Sequence, residues 1–131
     1  MGTHPRRPAS LSTITTREAG MAAENLACSY LQAQGLRLLT RNYRCRQGEI
    51  DLIMQDRTHL VFIEVRYRKS TNFGYASETV SRPKQKRLIS TAWHYLFEHN
   101  KARTACVRFD VIGIDHSQNI NWIKNAFEGS L

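Results

Sequence analysis

The sequence predicts an α/β fold, a central mixed β-sheet flanked by helices and built in the order helix, three strands, helix, strand. Two apolar stripes of helical period, at residues 19–33 and 88–97, frame a run of three strand-like segments. The third segment, residues 59–67, is apolar on both faces for most of its length, as an interior strand should be. The chain has 131 residues, enough for one core and too short for two ordinary ones. Residues 1–14, with their Pro, Arg and Ser, are expected to form a mobile N-terminal tail, and 15–131 a single domain.

Thr15-Thr16-Arg17-Glu18 reads as a capping box, in which hydroxyl and carboxylate each satisfy a free backbone amide. A helix follows to about residue 34 and stops at Gly35. Its apolar stripe is Ala19, Ala23, Leu26, Tyr30 and Ala33. Glu24, about 100° round from Ala23, lies on the rim with Gly20, Ala27 and Leu31. Residues 36–44 form a strand of weak pattern. Residues 49–55 alternate more clearly, with Ile50, Leu52 and Met54 on one face and Glu49, Asp51 and Ile53 on the other. In the third strand Val61, Ile63, Val65 and Tyr67 share one face, and Leu60, Phe62, Glu64 and Arg66 the other. Ser81 caps a second long helix with Pro83 in its first turn, and Leu88, Ile89, Ala92, Trp93, Leu96 and Phe97 form its buried stripe. Residues 106–114 are a further strand, 120–123 a short one, and 125–128 a helical turn.

Lys and Arg number 19 against 11 Asp and Glu, a formal charge of +8. That excess favours a polyanionic partner, nucleic acid ahead of an anionic membrane surface. No apolar run approaches the ~20 residues of a membrane span, so no membrane role is expected. Cys28, Cys45 and Cys106 are odd in number and far apart, with no C-x-x-C or Cys/His zinc spacing, which suits free thiols in a reducing cytoplasm. The first 12 residues lack the apolar segment of a secretory signal, and Arg6 stands where myristoylation requires Ser or Thr. The five histidines make no H-E-x-x-H pattern. There is no Gly-rich dinucleotide or P-loop motif and no nucleophile elbow, which argues against nucleotide-cofactor and acyl-transfer chemistry.

The turn between the second and third strands is Asp56-Arg57-Thr58-His59 or its inner pair, and both choices give one antiparallel register. In it Asp51 faces Glu64, and Glu49 faces Arg66. Like charges directly opposite each other destabilise a sheet, so something must compensate. A divalent cation is one candidate, because Mg²⁺ is held by one or two carboxylates together with water and substrate phosphate. A salt-bridged sheet end, with the two acids paired to Arg66 and Arg44, is the other. Arg66 lies on the same face as Glu64, about 6.5 Å farther along, where a guanidinium would meet a phosphate bidentately or stabilise developing charge.

The blocks Gly48-Glu49-Ile50-Asp51-Leu52-Ile53, Val61-Phe62-Ile63-Glu64-Val65-Arg66 and Arg108-Phe109-Asp110 resemble the YraN-like family of small uncharacterised bacterial proteins, over about residues 20–127. That family is similar to the restriction-endonuclease-like nucleases, the archaeal Holliday-junction resolvases in particular, which carry a Glu on the first helix, then an Asp, then Glu-x-Lys. The resemblance implies that Glu24, Asp51, Glu64 and the backbone carbonyl of Val65 are metal ligands for Mg²⁺ or Mn²⁺. It implies catalytic roles for Glu24, Asp51, Glu64 and Arg66. Arg66 departs from the pattern, standing where those nucleases have Lys. A Lys can deprotonate a water, whereas an Arg stays protonated and can only orient and stabilise. Lys84 or Lys86, at the start of the second helix, is positioned to supply the missing ammonium. Glu49 is either a further ligand or, as we favour, the partner of Arg66.

Arg37, Arg41, Arg44 and Arg46 precede the acidic block, and Arg68, Lys69, Arg82, Lys84, Lys86 and Arg87 follow it. Of these, Arg44, Arg46, Arg68, Lys69, Lys84 and Lys86 are the candidate nucleic-acid contacts, through salt-dependent phosphate binding. Asn72-Phe73-Gly74-Tyr75 reads as a mobile loop whose aromatics would stack on unpaired bases or pack back on the core. The function expected is a cytoplasmic, metal-dependent endonuclease acting on structured or branched DNA, with DNA favoured over RNA and a two-fold homodimer suited to a two-fold junction. The alternative is a non-catalytic nucleic-acid-binding module on a nuclease fold, and a weaker one is an interaction subunit whose acidic cluster is structural. On the first reading the carboxylates of Glu24, Asp51 and Glu64 should converge on one solvent-reachable pocket lined by arginines.

Overall fold

The computed structural model describes residues 15–68 and 80–129, so the expected tail, Lys69 and the loop 72–75 lie outside the described residues. Helix α1, Thr16–Ala33, begins at the expected capping box. The Thr15 hydroxyl accepts from the Glu18 amide and the Glu18 carboxylate accepts from the Thr15 amide, both at 3.0 Å. Gly35 takes φ +100° just past the helix, a conformation open to glycine. The buried stripe runs through Ala19, Ala23, Ala27, Cys28 and Leu31, with Ala33 exposed. It is therefore rotated from the expected line towards Ala27 and Leu31, and Glu24 borders it.

Strands β1 (Arg37–Cys45), β2 (Gly48–Gln55), β3 (Leu60–Arg68), β4 (Val107–Asp115) and β5 (Ile120–Ile123) form one mixed sheet in the order β1-β2-β3-β4-β5. All neighbours are antiparallel except β3 and β4, which run parallel from Leu60–Val107 to Arg68–Asp115. A parallel pair needs a crossover, and helix α2 (Arg82–Glu98) lies within it. Ser81 caps α2, its Oγ accepting from the Lys84 amide at 3.3 Å.

Each helix covers one face of the sheet. On the α1 face Ala27 and Leu31 pack with Leu52, Met54, Val61, Ile63, Ile112 and Ile114. On the α2 face Leu88, Ile89, Ala92, Tyr95 and Leu96 pack with Ile53, Leu60, Phe62, Phe109 and Val111. Tyr95 holds the place expected of Phe97, which is 66% exposed. Helical geometry explains the exchange: Leu88, Ala92 and Tyr95 fall in one line at spacings of four and three, while Phe97 is turned away from it. Tyr95 meets Tyr43 and Phe62 edge-to-face, with ring centroids 5.2 and 6.0 Å away. Residues 125–128 are not helical. The chain turns at Lys124–Asn125, with Asn125 at φ 51°, and the Ala126 amide donates to Phe109 O at 2.7 Å.

Asp110 of the third sequence block is structural. It is 1% exposed, accepts a bidentate pair from Arg108 at 2.9 and 3.0 Å, and accepts from Trp122 Nε1 and the Asn125 amide at 2.9 Å each. Arg108 also donates to Asp56 at 2.8 Å, tying β4 to the β2–β3 turn. A buried anion so fully satisfied is strongly destabilising to break. Asp110→Ala is expected to cost about 3–5 kcal/mol, read as a lower urea midpoint with an unchanged slope; a loss below about 1 kcal/mol would contradict this assignment.

Candidate functional site

β2 and β3 pair through Leu52–Ile63, Ile53–Phe62, Met54–Val61 and Gln55–Leu60. This is the expected register, and continued by one step it sets Asp51 opposite Glu64. The ladder ends at Leu52–Ile63, however. Beyond it, Asp51 Oδ2 accepts from the Val65 amide at 2.8 Å, so the carboxylate occupies the gap where the strands part. A strand residue presents its N–H and C=O to the same side, so the Val65 carbonyl also faces this gap.

A local inversion in the neighbouring strand accompanies the opening. β1 stays paired to β2 through Arg41–Leu52 and Tyr43–Ile50. Arg41 reaches α1, donating to Asn25 Oδ1 at 2.7 Å, while Tyr43 packs against Tyr95 of α2. The faces exchange at Asn42, which takes φ 52°, a left-handed conformation that asparagine tolerates. The register places Asn42 opposite Asp51. Ile50, expected beside Leu52 and Met54, therefore packs with the α2 cluster instead. Tyr43 completes this corner by donating to Glu98 Oε1 at 2.5 Å and meeting His94 Nδ1 at 2.6 Å. Burial and the Glu98 bond push its phenol well above the ordinary range, which disfavours a nucleophilic role.

The gap opens into a pocket of about 350 Å³ lined by Gly48, Glu49, Asp51, Glu64, Val65, Lys84, Arg87 and Leu88. Helix α2 forms its wall and approaches β2 closely. A Cβ at Gly48 would lie 3.1 Å from the Thr91 hydroxyl, which itself donates to Arg87 O at 2.7 Å. Glu64 is 7% exposed and forms an ion pair with the Lys84 ammonium. Burial pushes the Asp51 carboxyl up to about 7, the charge of Glu64 adds to the rise, and the Val65 amide offsets part of it; Glu24 and Glu49 contribute smaller increments in the same direction.

The structure thus brings Asp51, Glu64 and Val65 together with Lys84 and Arg87. Glu24 does not line the pocket: it contacts Arg41 at 3.4 Å, although its charge reaches Asp51. Glu49 pairs with Arg44 at 2.8 Å, its cross-strand neighbour, in place of the favoured Arg66. Arg66 and Arg68 are half-buried at the end of β3 and engage other groups. Arg46 and Lys86 are exposed. Among the described residues no three His, Cys, Asp or Glu side chains are drawn together as a metal-holding group. What Asp51, Glu64 and the Val65 carbonyl offer is a set of hard oxygens, including two carboxylates, one of them raised by burial and by the charge of the other. That set suits Mg²⁺ or Mn²⁺, which complete their shells with water and phosphate. The Asp51–Val65 bond and the inversion at Asn42 were invisible to alternation, which assumes an unbroken pleat.

An α/β domain of this topology, with an acidic pair at the opening of its β2–β3 ladder, is the class the geometry defines. The chain belongs to the uncharacterised protein family UPF0102, whose sequence model matches residues 23–114. It is 54% identical over 120 residues to a UPF0102 protein of Nitrosococcus oceani, covering 89% of this chain and 97% of the relative. It is 52% identical over 113 residues to one of Coxiella burnetii, covering 86% and 94%. A Legionella pneumophila relative is 46% identical over 114 residues, covering 86% and 97%. Among solved structures, that of Pyrococcus furiosus SfsA in complex with Ca²⁺ aligns with a TM-score of 0.38 and 17% identity. The alignment covers 88% of this chain and 66% of that one, just under two thirds of its length, and a likeness of this degree carries no argument. No helix of the described residues is long and apolar enough to cross a membrane.

The raised Asp51 carboxyl has a signed consequence. Its ordinary value is 3.8 and its folded value about 7, so the folded chain holds that proton more tightly than the unfolded one. The stabilisation is full below about pH 4 and is lost as pH rises through 7. Asp51→Asn is expected to match the parent at pH 4 and to exceed it at pH 8 by at most about 4 kcal/mol in metal-free buffer. Denaturation curves at the two pH values check this, and an Asn variant no more stable at pH 8 would contradict it.

Proposed function

We propose that the protein is a divalent-metal-dependent endonuclease that hydrolyses phosphodiesters of structured or branched DNA. The observation that carries the reading is the placement of two carboxylates, one of them 7% exposed, at the mouth of an opened strand pair, where burial first and the charge of Glu64 second raise Asp51. Crowding of this kind works against folding above neutral pH, and a divalent cation would relieve it.

In this reading Asp51, Glu64 and the Val65 carbonyl hold Mg²⁺ or Mn²⁺, with Glu24 reaching the ion only by leaving Arg41. The ion would polarise the scissile phosphate and make water a nucleophile near neutral pH. The remaining work belongs to the chain. Val65 N–H fixes the Asp51 carboxylate, and the gap in the ladder leaves its oxygens accessible from the pocket. Arg66, on the face of β3 that carries Glu64, orients the phosphate and stabilises charge that develops on it. Arg44, Arg46, Arg68, Lys69, Lys84 and Lys86 hold the flanking backbone, and the net charge of +8 draws DNA to the site. The free cysteines among the described residues are compatible with action in the cytoplasm, and a two-fold dimer would suit a two-fold junction. A non-catalytic binding module is the second reading, and Arg66 favours it because an arginine does not deprotonate water.

Purified protein should cleave a four-way junction in Mg²⁺ or Mn²⁺. Asp51→Asn and Glu64→Gln should each lower the rate at least about a hundredfold, the loss that corresponds to several kcal/mol of transition-state stabilisation. Tight, salt-dependent binding with no cleavage in either metal would select the binding module. No binding at low salt would contradict both readings.

A further inference from the structure

We infer that Lys84 is the built-in counter-cation of the acidic pair, shielding Glu64 in the metal-free protein and passing to the phosphodiester when the carboxylates are occupied. The inference rests on the metal-site reading above and gives Lys84, already counted among the DNA contacts, a second role towards the metal.

Lys84 springs from the first turn of α2, where its backbone is fixed by the Ser81 hydroxyl at 3.3 Å and follows Pro83. From there the side chain lines the pocket and its ammonium pairs with Glu64 Oε2. The two ends of the pair differ in setting: the Glu64 side chain is 9% exposed and that of Lys84 39%. The carboxylate is therefore well buried, while the lysine side chain keeps contact with solvent. Arg87, one turn on, lines the same wall. A phosphate entering the pocket would face the repulsion of the carboxylates, and the two cations of this wall offset it.

The pair is also in competition with a metal. Lys84 neutralises the very carboxylate that a divalent ion needs. Once Asp51 and Glu64 are neutralised by such an ion, the ammonium loses its partner and is repelled. Its four-carbon stem then lets it swing to the mouth, a movement suited to a compact charge on a flexible chain. Lys84 should thus oppose metal binding and assist phosphate binding. A purely structural ion pair would not act on the two ligands with opposite sign.

The test uses the full chain and its Lys84→Met, Lys84→Gln and Lys84→Arg variants, each checked for an unchanged melting curve. Mn²⁺ binding is measured by calorimetry, and binding of a labelled DNA junction is measured in Ca²⁺ across a salt series. Both neutral variants should bind Mn²⁺ about fivefold tighter. They should bind the junction more weakly, with the salt slope reduced by about one. Lys84→Arg should stay near the parent in both. If the parent binds Mn²⁺ but the neutral variants bind it equally or less well, or keep the parent's salt slope, the role of Lys84 is overturned and the metal-site reading stands. If neither parent nor variants bind Mn²⁺, the metal-site reading fails and the inference falls with it.

Discussion

Two carboxylates held beside each other where a strand pair opens are the constraint around which the rest of this molecule is arranged. Asp51 and Glu64 come from neighbouring strands and sit in continued register, yet the ladder between those strands stops one step short of them. The opening lets Asp51 turn its carboxylate onto the Val65 amide, and the left-handed Asn42 carries the inversion across to β1. Gly48 lets α2 close over the gap, since a side chain there would press on Thr91. Each feature departs from regular sheet structure: lost ladder bonds, a left-handed asparagine, a raised carboxyl. Departures of this kind, gathered in one place, mark a functional site more often than a random defect.

The other buried acids show what an acid looks like when its role is structural. Asp110 accepts four bonds from Arg108, Trp122 and the Asn125 amide, and so fixes the far end of the sheet. Asp115 accepts from the Ser117 and Asn119 amides and from the Asn119 side chain at 2.9 Å each, closing the β4–β5 turn. Nearby donors hold Asp115 below its ordinary range despite its burial, whereas Asp51 is driven the opposite way. The chain is thus able to satisfy a buried carboxylate with several donors, whereas among the described residues Asp51 accepts from the Val65 amide and Glu64 pairs with Lys84.

Much of the fold was legible in the sequence because local rules governed it. The capping box at Thr15, the Ser81 cap with Pro83, the alternation of β3 and the β2–β3 register all followed from short-range chemistry. The misses have a common physical origin in geometry that a regular period does not encode. Ile50 changes faces together with its β1 partner Tyr43, next to the left-handed Asn42. Glu24 met Arg41 because β1 carries an irregularity between Leu38 and Thr40, and long side chains reach across elements in ways that spacing does not fix. Lys84 was placed near the site only by its position at a helix start. Its contact with Glu64 depends on how α2 crosses the sheet, which residues 69–79 precede and no periodicity sets.

The most direct measurement of the central claim is the titration of the Asp51 side-chain carboxyl by carbon-detected NMR, with and without saturating Mg²⁺. The account predicts a midpoint near 7 in the metal-free protein and a fall below the ordinary carboxylate value once the ion is present, with Glu64 resonances moving at the same time. A carboxyl that titrates at its ordinary value in both conditions would mean that Asp51 is neither buried nor crowded by Glu64 and that no cation binds there.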